Sequence, residues 1–131
     1  MDATVALPEV GEMCHDDTRS YSPVRDVLDH IGDKWTLLVL GMLEREPQRF
    51  TALHRSIPGI SQRMLTLTLR NLQRDGLVSR QSFDENPPRV EYTVTALGRT
   101  LQPAVIALAR WAFENHGAIE ANRNAYDDAL S

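Results

Sequence analysis

The chain has 131 residues, 42% of them hydrophobic and 24% charged, which is typical of one globular domain with its own core. No apolar run approaches the roughly 20 residues that a membrane span needs, and the acidic N-terminus lacks the basic start of a signal peptide. A single cysteine, Cys14, excludes an internal disulfide and favours the reducing cytoplasm.

The net charge of −4 conceals a basic segment in the middle of the chain. Residues 1–48 carry 4 basic and 10 acidic groups, and residues 90–131 carry 3 basic and 5 acidic groups. Residues 49–89 carry only 3 acidic groups and have 7 arginines, at positions 49, 55, 63, 70, 74, 80 and 89. Such a block favours a local binding site for a polyanion, although a solvated polar surface would have the same composition.

The first elements are two helices that follow a flexible arm. Residues 1–20 mix Pro, Gly, Asp and Glu without periodicity and are expected to precede a domain of residues 21–131. Ser22-Pro23 begins a helix that ends at Gly32, because Ser caps a helix and Pro suits its first turn. Asp33 caps a second helix, from Lys34 to about Arg45, which Pro47 terminates.

A helix-turn-helix follows. Thr51 is the candidate cap of a short third helix, and Pro58-Gly59 forms a tight turn after it. Ser61 caps a fourth helix that Gly76 ends, and the buried edge of this helix is predicted to consist of Leu65, Leu69 and Leu72. Two consecutive helices joined by a short turn with Gly are the signature of this motif.

A β-hairpin and a long helix complete the chain. Leu77–Phe83 and Val90–Val94 alternate in polarity around a turn-rich loop, so they predict an antiparallel hairpin placed as a wing. Thr95 caps a last helix in which Pro103 is expected to produce a kink, and the tail to Ser131 either continues as helix or frays. The predicted fold class is mainly α with a small β-hairpin wing (α+β), a winged helix-turn-helix with dimerisation helices at both ends.

The fourth helix carries the candidate chemistry. Its polar side chains fall away from the leucine edge, near the helix N-terminus: Ser61, Gln62, Arg63, Thr66 and Arg70. Such groups read base edges in a major groove, which is about 12 Å wide and admits one helix. The simpler interpretation is a solvated helix face, which the motif order and the adjacent hairpin make less attractive.

Other residues are predicted to contact the DNA backbone or the minor groove. Arg89, at the end of the hairpin loop, suits a narrow and electronegative minor groove, although an ordinary loop charge is the alternative. Phosphate contacts are expected from residues beside the third helix, namely Arg49, Thr51 and Arg55. Arg74 and Arg80 either contact phosphate too or pair with Asp75 and Asp84.

Cys14 is a candidate redox switch, because the neighbouring His15 would lower the pKa of its thiol when protonated. Asp16 and Asp17 oppose that effect, so an ordinary exposed thiol is the preferred interpretation. No second cluster completes a metal shell, and no catalytic motif or phosphate loop is present. We therefore expect neither a cofactor nor a metal, and no enzymatic activity.

Several motifs occur together between residues 22 and 112: GDKW before a Leu-rich helix, RF before a short helix, ISQRMLT, and NLQRDGLVSR. In this combination they resemble the HxlR-type winged helix-turn-helix regulators, relatives of the MarR group. The resemblance implies a bacterial cytoplasmic homodimer that binds double-stranded DNA and usually represses nearby genes. It also implies that Ser61, Gln62, Arg63 and Thr66 lie on the recognition helix and Arg89 on the wing.

The chain departs from that pattern at one position. Many members of the family have a cysteine directly before the Pro-Val of the first helix, where this chain has Ser22. Redox sensing therefore does not follow from the resemblance. Release of DNA by a small-molecule effector remains a hypothesis, with Trp35, Trp111 and Phe113 either lining a pocket between protomers or forming plain interface core. The alternative class is a winged-helix module for protein–protein contact, which the arginine-rich segment disfavours.

Overall fold

The computed structural model describes residues 22–131, so the predicted arm at residues 1–20 and Cys14 lie outside the described residues. This part of the chain forms five helices and three strands. In chain order they are α1 (Pro23–Ile31), α2 (Lys34–Met42), β1 (Gln48–Arg49), α3 (Phe50–Ser56), α4 (Gln62–Arg74), β2 (Val78–Phe83), β3 (Arg89–Val94) and α5 (Ala96–Leu130). The predicted class, mainly helical with a hairpin wing, is confirmed.

Four helices begin where the capping residues predict. The side chains of Ser22, Asp33, Ser61 and Thr95 each accept a hydrogen bond from the backbone N–H three residues later. Each bond satisfies one of the donors that a helix N-terminus leaves without an intrahelical partner. The prediction for Thr51 was wrong: α3 begins at Phe50 with Arg49 as its N-cap, which makes no side-chain capping bond.

The core lies beneath α4 and joins it to α2 and α3. Its fully buried side chains are mainly leucines and isoleucines: Leu40, Leu53, Ile57, Leu65, Leu69 and Leu72. The predicted buried edge of α4 is thereby confirmed. Thr68, which the sequence pattern did not identify, is also buried. This packing fixes the rotation of α4 about its axis and determines which of its side chains are exposed.

α2 ends at Met42, about three residues earlier than the sequence predicts. Two glutamine side chains satisfy carbonyls of its last turns, where intrahelical donors are missing. The Nε2 of Gln102 on α5 donates to the Leu40 carbonyl at 3.1 Å, and the Nε2 of Gln48 donates to the Met42 carbonyl. The C-terminus of α2 is therefore defined by contacts with distant parts of the chain.

The wing is a three-stranded antiparallel sheet in the order β1-β3-β2. The hairpin register runs from Val78 opposite Val94 to Phe83 opposite Arg89, so the predicted hairpin is confirmed. β1 pairs Gln48 with Tyr92 and Arg49 with Glu91. This strand of two residues connects the beginning of α3 to the wing.

The last helix, α5, runs without interruption through Pro103 to Leu130, a length of 35 residues. The tail that the sequence left open is thus helical. Of the predicted apolar stripe, Val105 is buried and Leu101 is partly buried, whereas Leu97 and Leu108 are more than half exposed. Within residues 22–131, no helix has the length and apolar character needed to cross a membrane.

Candidate nucleic-acid interface

α4 presents a polar stripe opposite its buried leucines. At 3.6 residues per turn, Arg63, Thr66, Leu67 and Arg70 lie on the side away from Leu65, Thr68, Leu69 and Leu72. All four are exposed, and Leu67 interrupts the stripe with 46% of its surface accessible. Gln62 lies at the flank of this stripe in the first turn. The structure thus brings together the side chains that the sequence predicts for the reading face.

The hydroxyl groups of this face are already engaged within the helix. The Ser61 hydroxyl oxygen accepts a hydrogen bond from the backbone N–H of Met64 at 3.0 Å. The Thr66 hydroxyl donates to the Gln62 carbonyl at 2.8 Å, so its proton is not available to a ligand in this rotamer. The Gln62, Arg63 and Arg70 side chains form no hydrogen bond or ion pair with any described residue, and these groups are therefore the available donors of α4.

Further arginines lie on elements next to α4. Arg49 is at the end of β1, Arg55 is in the last turn of α3, and Arg80 is on β2. All three are exposed, as is Thr51 in the first turn of α3. Within residues 22–131 none of these arginines forms an ion pair within 4 Å, and Arg80 contacts only the Ser82 hydroxyl, at 3.4 Å. The suggested pairing of Arg80 with Asp84 is therefore absent.

Arg74 lies apart from this group. It is the last residue of α4 and forms no ion pair with Asp75 within 4 Å, contrary to one of the two interpretations from the sequence. Its side chain lines a cleft that faces α1 and α5. The two ends of α4 thus have different surroundings.

Arg89 is held by two carboxylates. Its Nε and Nη2 donate to Glu85 at 2.9 and 3.1 Å, and its Nη1 donates to Glu91 at 2.7 Å. The guanidinium also lies over the Phe83 ring, 3.9 Å from the ring centre. The hydrogen bond from Glu85, followed by the charges of Glu85 and Glu91, raises the pKa of Arg89. A contact with the minor groove stays a prediction and requires the guanidinium to leave these partners.

Two packed helices, a three-stranded wing and unpaired arginines on the exposed side of α4 define a winged helix-turn-helix protein that binds DNA. A comparison with known families agrees. The chain belongs to the HxlR-like helix-turn-helix family, whose model matches residues 30–120.

Individual relatives are similar over most of their length. The HTH-type transcriptional regulator YybR of Bacillus subtilis is 41% identical over 102 residues, which cover 78% of this chain and 82% of YybR. The redox regulator HypR in its reduced form is 42% identical, with a TM-score of 0.70, 76% of this chain covered and 99% of HypR. Reduced YodB of Bacillus subtilis is 33% identical, with a TM-score of 0.62 and coverages of 71% and 92%.

These similarities support a DNA-binding transcriptional regulator over a module for protein–protein contact. The position before Pro23 deserves a separate statement, because relatives of known redox function are among the similar structures. Ser22 is 4% exposed there, and its hydroxyl oxygen accepts from the backbone N–H of Arg25 at 3.3 Å. A serine hydroxyl caps the helix well but cannot form a disulfide.

Proposed function

We propose that this regulator binds a specific operator as a homodimer, with one α4 in the major groove of each half-site. The observation that carries the proposal is the exposed face of α4, where Arg63 and Arg70 have no partner within the described residues. An arginine on a helix surface costs little when solvated, and it can donate two parallel hydrogen bonds to the O6 and N7 of guanine.

The candidate contacts divide into two groups by position. Gln62, Arg63, Thr66 and Arg70 face the groove and are proposed to meet base edges, where Gln would pair with adenine. Ser61 lies at the helix N-terminus, whose unpaired backbone N–H groups attract phosphate. Residues on the neighbouring elements are proposed to contact phosphate without reading sequence, namely Arg49, Thr51 and Arg55. Arg89 belongs to this second group if it exchanges Glu85 and Glu91 for the DNA.

The dimer is proposed from apolar surface that a single copy leaves exposed. Leu28 on α1 and Leu97, Leu108 and Trp111 on α5 are each more than half accessible to solvent. Burial of such side chains contributes about 1.5–3 kcal/mol each, so a second copy is the economical way to cover them. A two-fold axis would place two α4 helices about 34 Å apart, one turn of B-DNA.

Repression by occupation of a promoter is the mode of action that we infer. A dimer of this kind, bound across one helical turn, blocks access of other proteins to the same segment of DNA. The resemblance to regulators that usually repress supports this sign. A change in reporter expression upon deletion of the gene tests it: an increase is expected, and a decrease would indicate an activator.

Operator binding is tested by fluorescence anisotropy with the purified chain. The probe is the intergenic duplex next to its own gene, a scrambled duplex of equal composition is the control, and both are titrated at two salt concentrations. We expect preference for the native duplex and weaker binding at the higher salt, because phosphate contacts release counterions. Absence of binding to either duplex at low salt would contradict the proposal and favour the module for protein–protein contact.

A further inference from the structure

A cleft of about 700 Å³ lies at the end of α4 that is remote from Gln62. Its walls come from α1, the C-terminal end of α4 and the first turns of α5. The apolar part of the lining is aliphatic: Val27, Ile31, Leu77, Leu97 and Leu101. This size and lining are typical of sites for small organic molecules, which occupy clefts of about 300–1,000 Å³.

This cleft differs from the pocket that the sequence suggested. Trp35, Trp111 and Phe113 do not line it. Trp35 packs against the core, while Trp111 and Phe113 are exposed on α5. The aliphatic cleft is therefore a separate candidate for the site of an effector.

Four charged or titratable side chains also line the cleft: Asp26, His30, Arg74 and Asp75. The Nδ1 of His30 lies 2.8 Å from the backbone carbonyl oxygen of Asp26 and 3.5 Å from its carboxylate. Arg74 and Asp75 form no ion pair within residues 22–131. Two carboxylates thus oppose one guanidinium, and the formal charge of the lining is −1 when His30 is neutral.

The electrostatic potential at His30 agrees with this balance. The pKa of His30 is raised, chiefly by the hydrogen bond to the Asp26 carbonyl and further by the carboxylates of Asp26 and Asp75, while Arg74 and partial burial oppose the rise. α5 contributes Leu97, Thr100 and Leu101 to the lining and no titratable group. The carboxylates therefore outweigh the guanidinium at this point of the cleft.

We propose that the cleft binds a small lipophilic cation, with its apolar body against the aliphatic walls and its positive charge near Asp26 and Asp75. A hydrophobic anion of the same shape would meet two carboxylates, and a neutral molecule would gain only the apolar contacts. The charge complementarity thus selects an organic ammonium or a similar cation among the ligands that fit.

Such a ligand would couple to DNA binding, and this step rests on the proposed function of α4. Arg74 and Asp75 end the same helix that begins with Gln62 and Arg63, about 20 Å away at 1.5 Å per residue. A cation held between α4 and the helices α1 and α5 touches the reading helix and both proposed dimerisation elements at once. Its binding would shift α4 relative to them and change the affinity for the operator.

Isothermal titration calorimetry of the full chain without DNA tests the ligand site. The probe is benzyltriethylammonium, which keeps its charge at every pH, and the comparison compounds are neutral N,N-diethylbenzamide and anionic 4-tert-butylbenzoate. We expect the cation to bind at least about tenfold more tightly than the other two. Equal binding of all three, or tighter binding of the anion, would overturn the proposal.

Charge variants at the C-terminal end of α4 give two opposite expectations. Asp75→Asn should weaken binding of the cation about tenfold, and Arg74→Gln should strengthen it a few-fold, because a unit charge at close range contributes on this scale near a protein surface. The matched controls are Asp84→Asn in the wing loop and Arg70→Gln on the opposite side of α4, which should change nothing. Changes of the same sign at positions 74 and 75 would indicate a structural effect and overturn the assignment.

The pH dependence gives an independent readout. Protonation of His30 adds a positive charge to the cleft, so the affinity for the cation should rise as the pH increases from 6 to 8. His30→Gln should bind the cation with an affinity that no longer depends on pH over this range. An unchanged pH profile in that variant would contradict the proposed position of the charge.

The occupant and the function can fail separately. If a second copy fills the cleft instead, the wild-type dimer binds none of the three compounds, and the proposal fails while operator binding persists. Titration of the operator complex with benzyltriethylammonium then tests the coupling, with Asp75→Asn as the control of equal DNA affinity. A ligand that binds the free protein but leaves operator affinity unchanged would overturn the regulatory step alone.

Discussion

On α4, neighbouring residues have different environments because the core holds one side of the helix. Leu65 and Leu69 are buried, while Arg63, Thr66 and Arg70 are exposed beside them. The sequence predicts this division from leucine spacing alone. It cannot predict the partners of Arg89, because the pairing with Glu85 and Glu91 depends on how the wing loop brings three charged groups together.

Replacement of Arg63 by alanine should lower affinity for the operator by about 1–3 kcal/mol and relax the base preference at one position, because the side chain is proposed to read a base edge. Arg49→Ala is the matched control on β1: it should weaken binding to all sequences alike and reduce the salt slope by about one. Anisotropy titrations with native and scrambled duplexes measure both. An equal loss on the two duplexes for Arg63→Ala would remove its role in sequence readout.

Oxidation by diamide should leave operator affinity unchanged within about twofold. Ser22 supplies no thiol at the start of α1, and Cys14, which lies outside the described residues, has two acidic neighbours that disfavour its thiolate. Titrations before and after treatment measure the effect, with Cys14→Ser as the control. A loss of binding in the wild type that this variant does not share would establish Cys14 as a switch.

Among the elements, the beginnings are encoded locally and some of the ends are not. Ser22, Asp33, Ser61 and Thr95 lie next to the helices that they cap, so the sequence predicts these starts. α2 ends where Gln48 and Gln102 bind its carbonyls, and Gln102 is 62 residues away from Leu40. β1 has only two residues and forms because β3 is present. No local pattern carries that information.

The junction of α5 with the wing depends on Gly98. A Cβ at this position would lie 2.2 Å from the Leu77 carbonyl oxygen and 2.6 Å from a methyl carbon of Val94. That carbonyl also accepts a hydrogen bond from the backbone N–H of Thr95 at 3.0 Å, so it is not free to move. The absence of a side chain at Gly98 therefore allows the first turn of α5 to contact the end of α4 and the sheet.

We expect Gly98→Ala to lower the free energy of unfolding by about 1–3 kcal/mol, the usual cost of overpacking. Gly117→Ala provides the control on the same helix, since a Cβ there meets nothing within 4 Å. That change should stabilise the protein by about 0.5–1 kcal/mol through the higher helix propensity of alanine. Urea denaturation measures both, and equal effects of the two substitutions would show that propensity rather than contact dominates.

On the scale of the whole molecule, the part of α5 beyond the core is the least explained by a single copy. Its apolar side chains have little to pack against: Leu108, Trp111, Tyr126 and Leu130 are 53–71% exposed. The sequence predicts an apolar stripe there but not whether the same chain or another chain covers it. The family model ends at residue 120, so the last turn and a half before Leu130 extend past the shared region.

Leu108→Glu should dissociate the proposed dimer by at least tenfold, because it places a charge within an apolar interface. Arg110→Glu, on another side of α5, is the control and should leave the dimer intact. Sedimentation equilibrium over a range of protein concentrations measures the constant. A dimer unaffected by Leu108→Glu would place the interface elsewhere.

The exposed length of α5 has a consequence for how the molecule unfolds. The helix measures about 50 Å at 1.5 Å per residue, and most of its second half makes no contact with the core of its own copy. If a second copy supplies the missing contacts, unfolding is a bimolecular equilibrium governed by mass action, and Tm rises with protein concentration. Dilution alone would then melt this helix first, so the abundance of the regulator in the cell would set both its occupancy of DNA and its lifetime as a folded protein.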